Sequence, residues 1–254
     1  MKTIKFLALG IVSLPLFTGC ETMNQIASSL PQTSNAGSTS TTNTSTGSIS
    51  QAEATTGIKQ ALNNGLQNSI NTLSVSNGFY GDALVKILMP KEAQKVEQVL
   101  RSAGMGKLVD NFVLSLNRAA ESAVKEAAPV FVNSLAQMTV TDAFNILLGS
   151  QQDAATTFFK RTTSATLTQK FSPIVQSALG KNNVSNYWTQ LTSAYNTLST
   201  NKVQTDLNAY VTQKAIDGLF LKVADEELKI RQNIGGSRNS SVLQSVFGWV
   251  DKQK

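Results

Sequence analysis

The sequence contains no histidine and a single cysteine, Cys20. The first absence removes every mechanism that uses imidazole as general base, proton relay or metal ligand. The second removes intrachain disulfides, thiolate zinc sites and iron–sulfur clusters. Charge is also sparse. Asp, Glu, Lys and Arg make up 15% of the 254 residues, and Ser, Thr, Asn and Gln carry much of the polarity. The 22 Lys and Arg outnumber the 16 Asp and Glu, a formal +6. That excess is too small, and too little interleaved with aromatics, for a nucleic-acid footprint. Nucleic acid is therefore not an expected partner. No Asp and Asn spacing with a closing Glu resembles a calcium loop, so neither a metal nor another cofactor is expected.

What is present begins with a leader. Residues 1–20 read MKTIKFLALGIVSLPLFTGC, with Lys2 and Lys5 ahead of an apolar stretch from Phe6 to Phe17. A run of that length is too short to cross roughly 30 Å of hydrocarbon as a helix and fits a signal peptide over residues 1–19. Cys20 directly after the small Gly19 resembles a lipobox, in which the thiol is diacylated and becomes the mature N-terminus. Phe17 departs from that pattern, standing where Leu is usual. The competing reading is a plain secretory signal with an incidental cysteine. Glu21 occupies the place where Asp resembles an inner-membrane retention signal, which favours the periplasmic face of the outer membrane. Acyl chains contribute roughly 0.8 kcal/mol per buried methylene, so the expected membrane contact is a lipid anchor at Cys20. The anchor consumes the lone thiol, and a cysteine nucleophile drops out as well.

Residues 20–50 read as the lipidated cysteine and a tether. Residues 28–50 hold 14 Ser or Thr and no charge, too little apolar surface to offset the entropy of ordering. A linker of this length spans roughly 25–30 Å. From residue 51 to 254 the texture is helical. Ile58, Ala61, Leu62, Leu66, Ile70 and Leu73 recur at three and four residues, an amphipathic stripe. Asn77-Gly78 and Gly81 break it, and a short apolar run from Ala83 to Met89 ends at Pro90. A helix over Lys91–Ala103 stops at Gly104 and Gly106, and a long helical stretch from Lys107 is expected to break or kink at Pro129. Thr139 with Asp142, and Ser150 with Asp153, both fit an N-cap hydroxyl followed by an acid three residues later. Ser172-Pro173 reads as a further helix start, and Gly180 as its end. Asn186–Leu198 follows. The longest element, Asp206–Asn233, is apolar on most faces over Ala215–Ala224, which predicts a place at the centre. Gly235-Gly236 ends it before a last amphipathic piece with Val242, Leu243, Val246, Phe247 and Val250. No strand or solenoid period is evident. The predicted class is all-α, a bundle of seven to nine helices.

Five segments, in order, resemble one group of bacterial proteins: LMPKEAQKVEQVLRSAGMGKL, NRAAESAVKEAAPVFVNSLAQMTVTDAFNIL, DAATTFFKRTT, DLNAYVTQKAIDGLFLKVADEELKIRQN and SVLQSVFG. The group is domain-of-unknown-function family 4197, periplasmic or lipid-anchored helical proteins. The resemblance covers about Gln51 to Gly248, and its NRAAE and KAIDGLF stretches are specific. It implies a helical fold and anchoring, and no activity. After Asn233 the family commonly continues with proline and Arg-x-Thr. This chain instead has Ile234-Gly-Gly-Ser-Arg238-Asn-Ser, which implies a looser turn.

Candidate polar sites are few. Arg118, Glu121 and Lys125 share one helix face, suited either to a pocket or to helical ion pairs worth a few tenths of a kcal/mol each. Glu227 and Arg231 form the favourable i, i+4 pair. Asp217 falls in the apolar middle of the longest helix, where an unpaired carboxylate is costly. It is expected to hold a cation such as Lys214 or Arg118 in an internal ion pair, or to act as a raised-pKa carboxyl at a site. Tyr210 and Lys214 share its face, so the three are expected along one groove. Asp153 reads as a helix cap. Ser122 and Lys125 match a Ser-x-x-Lys pattern without its partner motifs, and Gly104-Met-Gly-Lys107 lacks the spacing of a phosphate loop. The expected role is a non-enzymatic protein that engages an envelope partner. The alternative is a carrier of an apolar or amphiphilic small molecule held between helices.

Overall fold

The computed structural model describes residues 49–181, 184–198 and 206–253. The leader, Cys20 and the tether up to residue 48 lie outside the described residues. Among those described there are nine α-helices and no strand: α1 (Gln51–Leu73), α2 (Gln94–Ser102), α3 (Gly106–Val124), α4 (Ala127–Gln137), α5 (Val140–Leu148), α6 (Ala154–Lys181), α7 (Val184–Leu198), α8 (Leu207–Gln232) and α9 (Ser241–Asp251). The all-α class holds, at the upper end of the expected helix number.

Local chemistry sets several helix starts. The Ser50 hydroxyl accepts the Glu53 N–H while the Glu53 carboxylate accepts the Ser50 N–H, a capping box at the head of α1. Thr139 and Asp142 make the same reciprocal pair for α5. Asp206 caps α8 by accepting the Ala209 N–H at 2.9 Å.

Helices α3, α6 and α8 pack against one another, and α1 lies across α8 and α9. The apolar stripe of α1, from Ile58 to Leu73, is buried as its spacing requires. Phe131 of α4 meets Phe159 of α6 and Phe220 of α8 edge-on, with centroids 5.4 and 6.2 Å apart. Phe112 of α3 stacks on Trp188 of α7 at 5.3 Å. Such aromatic pairs add about 0.5–1.5 kcal/mol beyond their burial.

Three boundaries differ from those expected. The break between α3 and α4 lies at Lys125-Glu126, and Pro129 is the third residue of α4. There its missing N–H has no helical partner to lose, and its ring displaces the carbonyl four residues back. Ser172-Pro173 starts no helix, because Pro173 lies inside the continuous α6. Packing of α6 on α3, α4, α7 and α8 carries it through the lost hydrogen bond. The turn after α8 is also not loose. Asn233 closes the helix in the left-handed conformation (φ 53°). Arg238 then folds back, donating to the carbonyls of Ile230 (2.9 Å) and Arg231 (2.6 Å) and pairing with Asp251 of α9. A cation on the last carbonyls complements the helix dipole.

One glycine decides how closely a connection lies on α8. A Cβ on Gly218 would sit 2.8 Å from the Phe79 ring and 3.3 Å from Val85 Cβ. Both neighbours are buried and cannot swing aside. Gly218→Ala is therefore expected to lower stability by about 1–3 kcal/mol through overpacking, overriding the roughly 1 kcal/mol gained in helix propensity. Urea unfolding checks this, and an unchanged or raised midpoint contradicts the close approach.

Candidate functional site

The site grows from the connection between α1 and α2, residues 74–90, and from the side chains that hold it. Asn117 of α3 donates its amide to the Ile87 carbonyl at 2.8 Å and accepts the Ile87 N–H at 2.9 Å. A buried side-chain amide thus replaces the strand that an extended segment would otherwise need. One turn on, the buried Glu121 accepts the N–H groups of Phe79 (3.3 Å) and Tyr80 (3.5 Å). Its other oxygen takes the Arg118 guanidinium at 2.7 Å, and Arg118 also donates to Asn77 Oδ1 at 2.8 Å. Lys222 of α8 pairs with Asp82 at 2.6 Å. That ammonium, with the Leu84 N–H, holds the Asp82 carboxyl below its ordinary value of 3.8.

Held in this way, the segment alternates. Val85, Ile87 and Met89 are buried, whereas Leu84 and Leu88 are 73% and 58% exposed. Between this segment and α8 runs an open trench of 590 Å³. Leu84, Leu88 and Leu221 give it apolar walls, and Lys86, Lys91 and Lys214 stand around it. The Tyr210 hydroxyl donates to the Leu88 carbonyl at 3.1 Å and ties one wall to the other. A second hollow of 350 Å³ adjoins it, sharing Lys86, Leu88, Met89 and Gln94. At that junction the Lys86 ammonium lies 3.9 Å from the centroid of the Tyr80 ring. Arg101, on the far wall, is already committed to Glu97 (2.9 Å) and Asp110 (2.8 Å).

Tyr210, Lys214 and Asp217 do line one groove, as their shared helix face implied. The expected internal ion pair of Asp217 is absent. Asp217 is exposed, accepts the Gln213 amide at 2.8 Å and forms no ion pair among the described residues. The middle of α8 is apolar on most faces, yet Gln213, Asp217 and Leu221 form a strip, four residues apart, that the 74–90 connection leaves uncovered. Arg118 and Glu121 pair as spaced, but they hold the 74–90 connection, through Asn77 and through the Phe79 and Tyr80 N–H groups, and line neither hollow. Lys125 of that face is exposed and apart from them.

Glu227 and Arg231 are joined and sealed in the interior, with side chains 4% and 5% exposed. Arg231 reaches one Glu227 oxygen through Nε (3.0 Å) and Nη2 (2.8 Å), and donates to the Ile146 carbonyl at 2.8 Å. The carboxylate also accepts the N–H groups of Ala155 and Thr156 and the Thr156 hydroxyl, each at 2.9 Å. Glu227 is therefore the N-terminal cap of α6. Asp153, expected in that role, is exposed just before the helix, and a residue from α8 has taken its place.

A family model described as "Protein of unknown function (DUF4197)" matches residues 48–248. The chain belongs to that family. No curated protein and no solved structure matches it. In this DUF4197 member the NRAAE stretch supplies Asn117, Arg118 and Glu121, which hold the 74–90 connection. The KAIDGLF stretch supplies Lys214, Asp217 and the close-packing Gly218. Both specific stretches thus converge on the trench.

Sequence reading overlooked Lys86, Leu88 and Lys91, because the 83–90 run registered only as short and apolar. Its alternation was the available signal. Asn117 and Arg238 carried no signal, since their partners are backbone groups far away along the chain or beyond a turn.

The buried pair generates a stability test. Glu227→Ala leaves the Arg231 charge without its carboxylate and uncaps α6, and is expected to cost about 3–5 kcal/mol. Adding Arg231→Met should recover a large part of that loss in chemical denaturation, because the stranded charge is removed as well. A double variant no more stable than the single one contradicts this account.

Proposed function

We propose that this DUF4197 protein is a lipoprotein of the bacterial envelope, anchored through Cys20 to the periplasmic face of the outer membrane. Its helical domain serves as a non-enzymatic docking module for a partner polypeptide. The leader, the lipobox-like cysteine and the uncharged tether support the anchoring. One observation carries the docking role: three large exposed leucines, Leu84, Leu88 and Leu221, gather along a single open trench. Scattered apolar residues are ordinary on any surface, whereas a clustered set with a polar rim marks an interaction site.

The non-enzymatic part rests on how the acids are used. The oxygens of Glu121 and Glu227 are engaged in holding backbone and arginine, and Asp217 has an amide for a neighbour. The carrier alternative is less well supported. The pocket beside Ile58, Leu62 and Phe247, between α1, α8 and α9, measures only 10 Å³, about the room of one water.

Two measurements test the proposal. Cys20→Ser is expected to move the protein from the membrane to the soluble fraction on cell fractionation. Unchanged membrane retention argues against the anchor. A photoreactive residue at Leu88 in the native host should give a discrete protein adduct, and one at the exposed Val132 of α4 should not. Adducts only to lipid, or none, argue against docking.

A further inference from the structure

We infer that the occupant of the trench is an acidic amphipathic segment of a partner protein, with apolar side chains on one face and carboxylates beside them. This rests on the docking reading above and specifies its chemistry. The first argument is charge. Lys86, Lys91 and Lys214 border the trench and take part in no ion pair among the described residues. In the trench itself they face one carboxylate, Asp217, held by the Gln213 amide, and the adjoining hollow adds Glu97 and Asp110, both already neutralised by Arg101. Two other lysines of α8 are used by acids of the fold: Lys222 holds Asp82 and Lys229 holds Glu226. Three unpaired ammonium groups around one apolar channel leave a positive rim that a basic or neutral segment does not satisfy.

Shape supplies the second argument. The two hollows adjoin through Lys86, Leu88, Met89 and Gln94, so the channel is elongated and has its cation at the junction. It is open along one side, and an acyl chain lying there would stay wet along its length. An amphipathic segment matches an open channel, because its apolar face meets the leucines while its polar face stays in water. A concave channel also suits a ridge better than a flat bilayer.

The test uses the folded protein with a photoreactive residue at Leu88. It is challenged separately with four synthetic peptides of equal length. One is amphipathic with flanking Glu, one has the same apolar face with flanking Lys, one has flanking Gln, and one is a scrambled acidic control. The Glu-flanked peptide is expected to label at least tenfold more than the Lys-flanked one, and the scrambled control should label weakly. Raising the salt concentration should shrink the difference. Lys86→Glu at the half-buried junction, combined with Lys214→Glu at the exposed wall, should reverse the preference, with circular dichroism confirming an intact fold.

Equal labelling by the Glu and Lys peptides, or no labelling by any of them, overturns the inference. So does binding to phosphatidylglycerol vesicles that the Glu-flanked peptide does not compete away, which makes the face a lipid surface. Concentration-dependent dimerisation lost in the charge-reversed pair overturns it too, in favour of a second copy. If the host experiment yields a protein adduct at Leu88 but the peptides show no charge preference, docking survives and only the acidic partner falls.

Discussion

A carboxylate in a dry helical interior is costly unless every oxygen has a donor. Glu227 meets that condition by joining three elements at once. It receives the first free N–H groups of α6, the Thr156 hydroxyl and the guanidinium of Arg231, which reaches on to the Ile146 carbonyl of α5. The end of one helix, the start of the next and the last turns of α8 are thereby set against one another. Apolar packing is tolerant of small slides between helices. A carboxylate with this many directional partners is not, so the pair ties these helix segments together at defined positions.

The same logic, transferred to α3, builds the surface feature. Asn117 and Glu121 hold an irregular connection by its backbone, at Ile87 and at Phe79 and Tyr80. Lys222 ties it to α8 through Asp82, and Gly218 lets it lie close. A connection without helix or sheet partners has its polar backbone groups accounted for by side chains of two helices. On the docking reading, the trench walls are set before a partner arrives, which lowers the ordering cost of binding. The exposed leucines are displayed on a constrained segment.

Fold and proposed role meet in this arrangement. On the anchored reading, Cys20 holds the domain near the membrane, where its trench is offered to a neighbour. The domain's charge sharpens that picture. Most acids serve caps and ion pairs within the fold, while the lysines at the trench stay outside its ion pairs.

Much of the domain was legible because its information is local. The stripe of α1, the Thr139–Asp142 capping box and the shared face of Tyr210, Lys214 and Asp217 all follow from helical period and short-range hydrogen bonding. What failed was each inference that needed to know what lies opposite. Pro173 reads as a helix start until the packing around α6 carries the helix through it. Asp153 reads as a cap until Glu227, 74 residues further on, arrives with the better geometry. Asp217 reads as buried because its neighbours are apolar, and only the path of residues 74–90 shows that its strip of α8 is left open. Sequence by itself determined the helices and their class, since backbone hydrogen bonding and side-chain period act within a few residues. Tertiary structure alone decided which polar groups are sealed and which border the trench, because burial and pairing depend on what the rest of the chain places across from them.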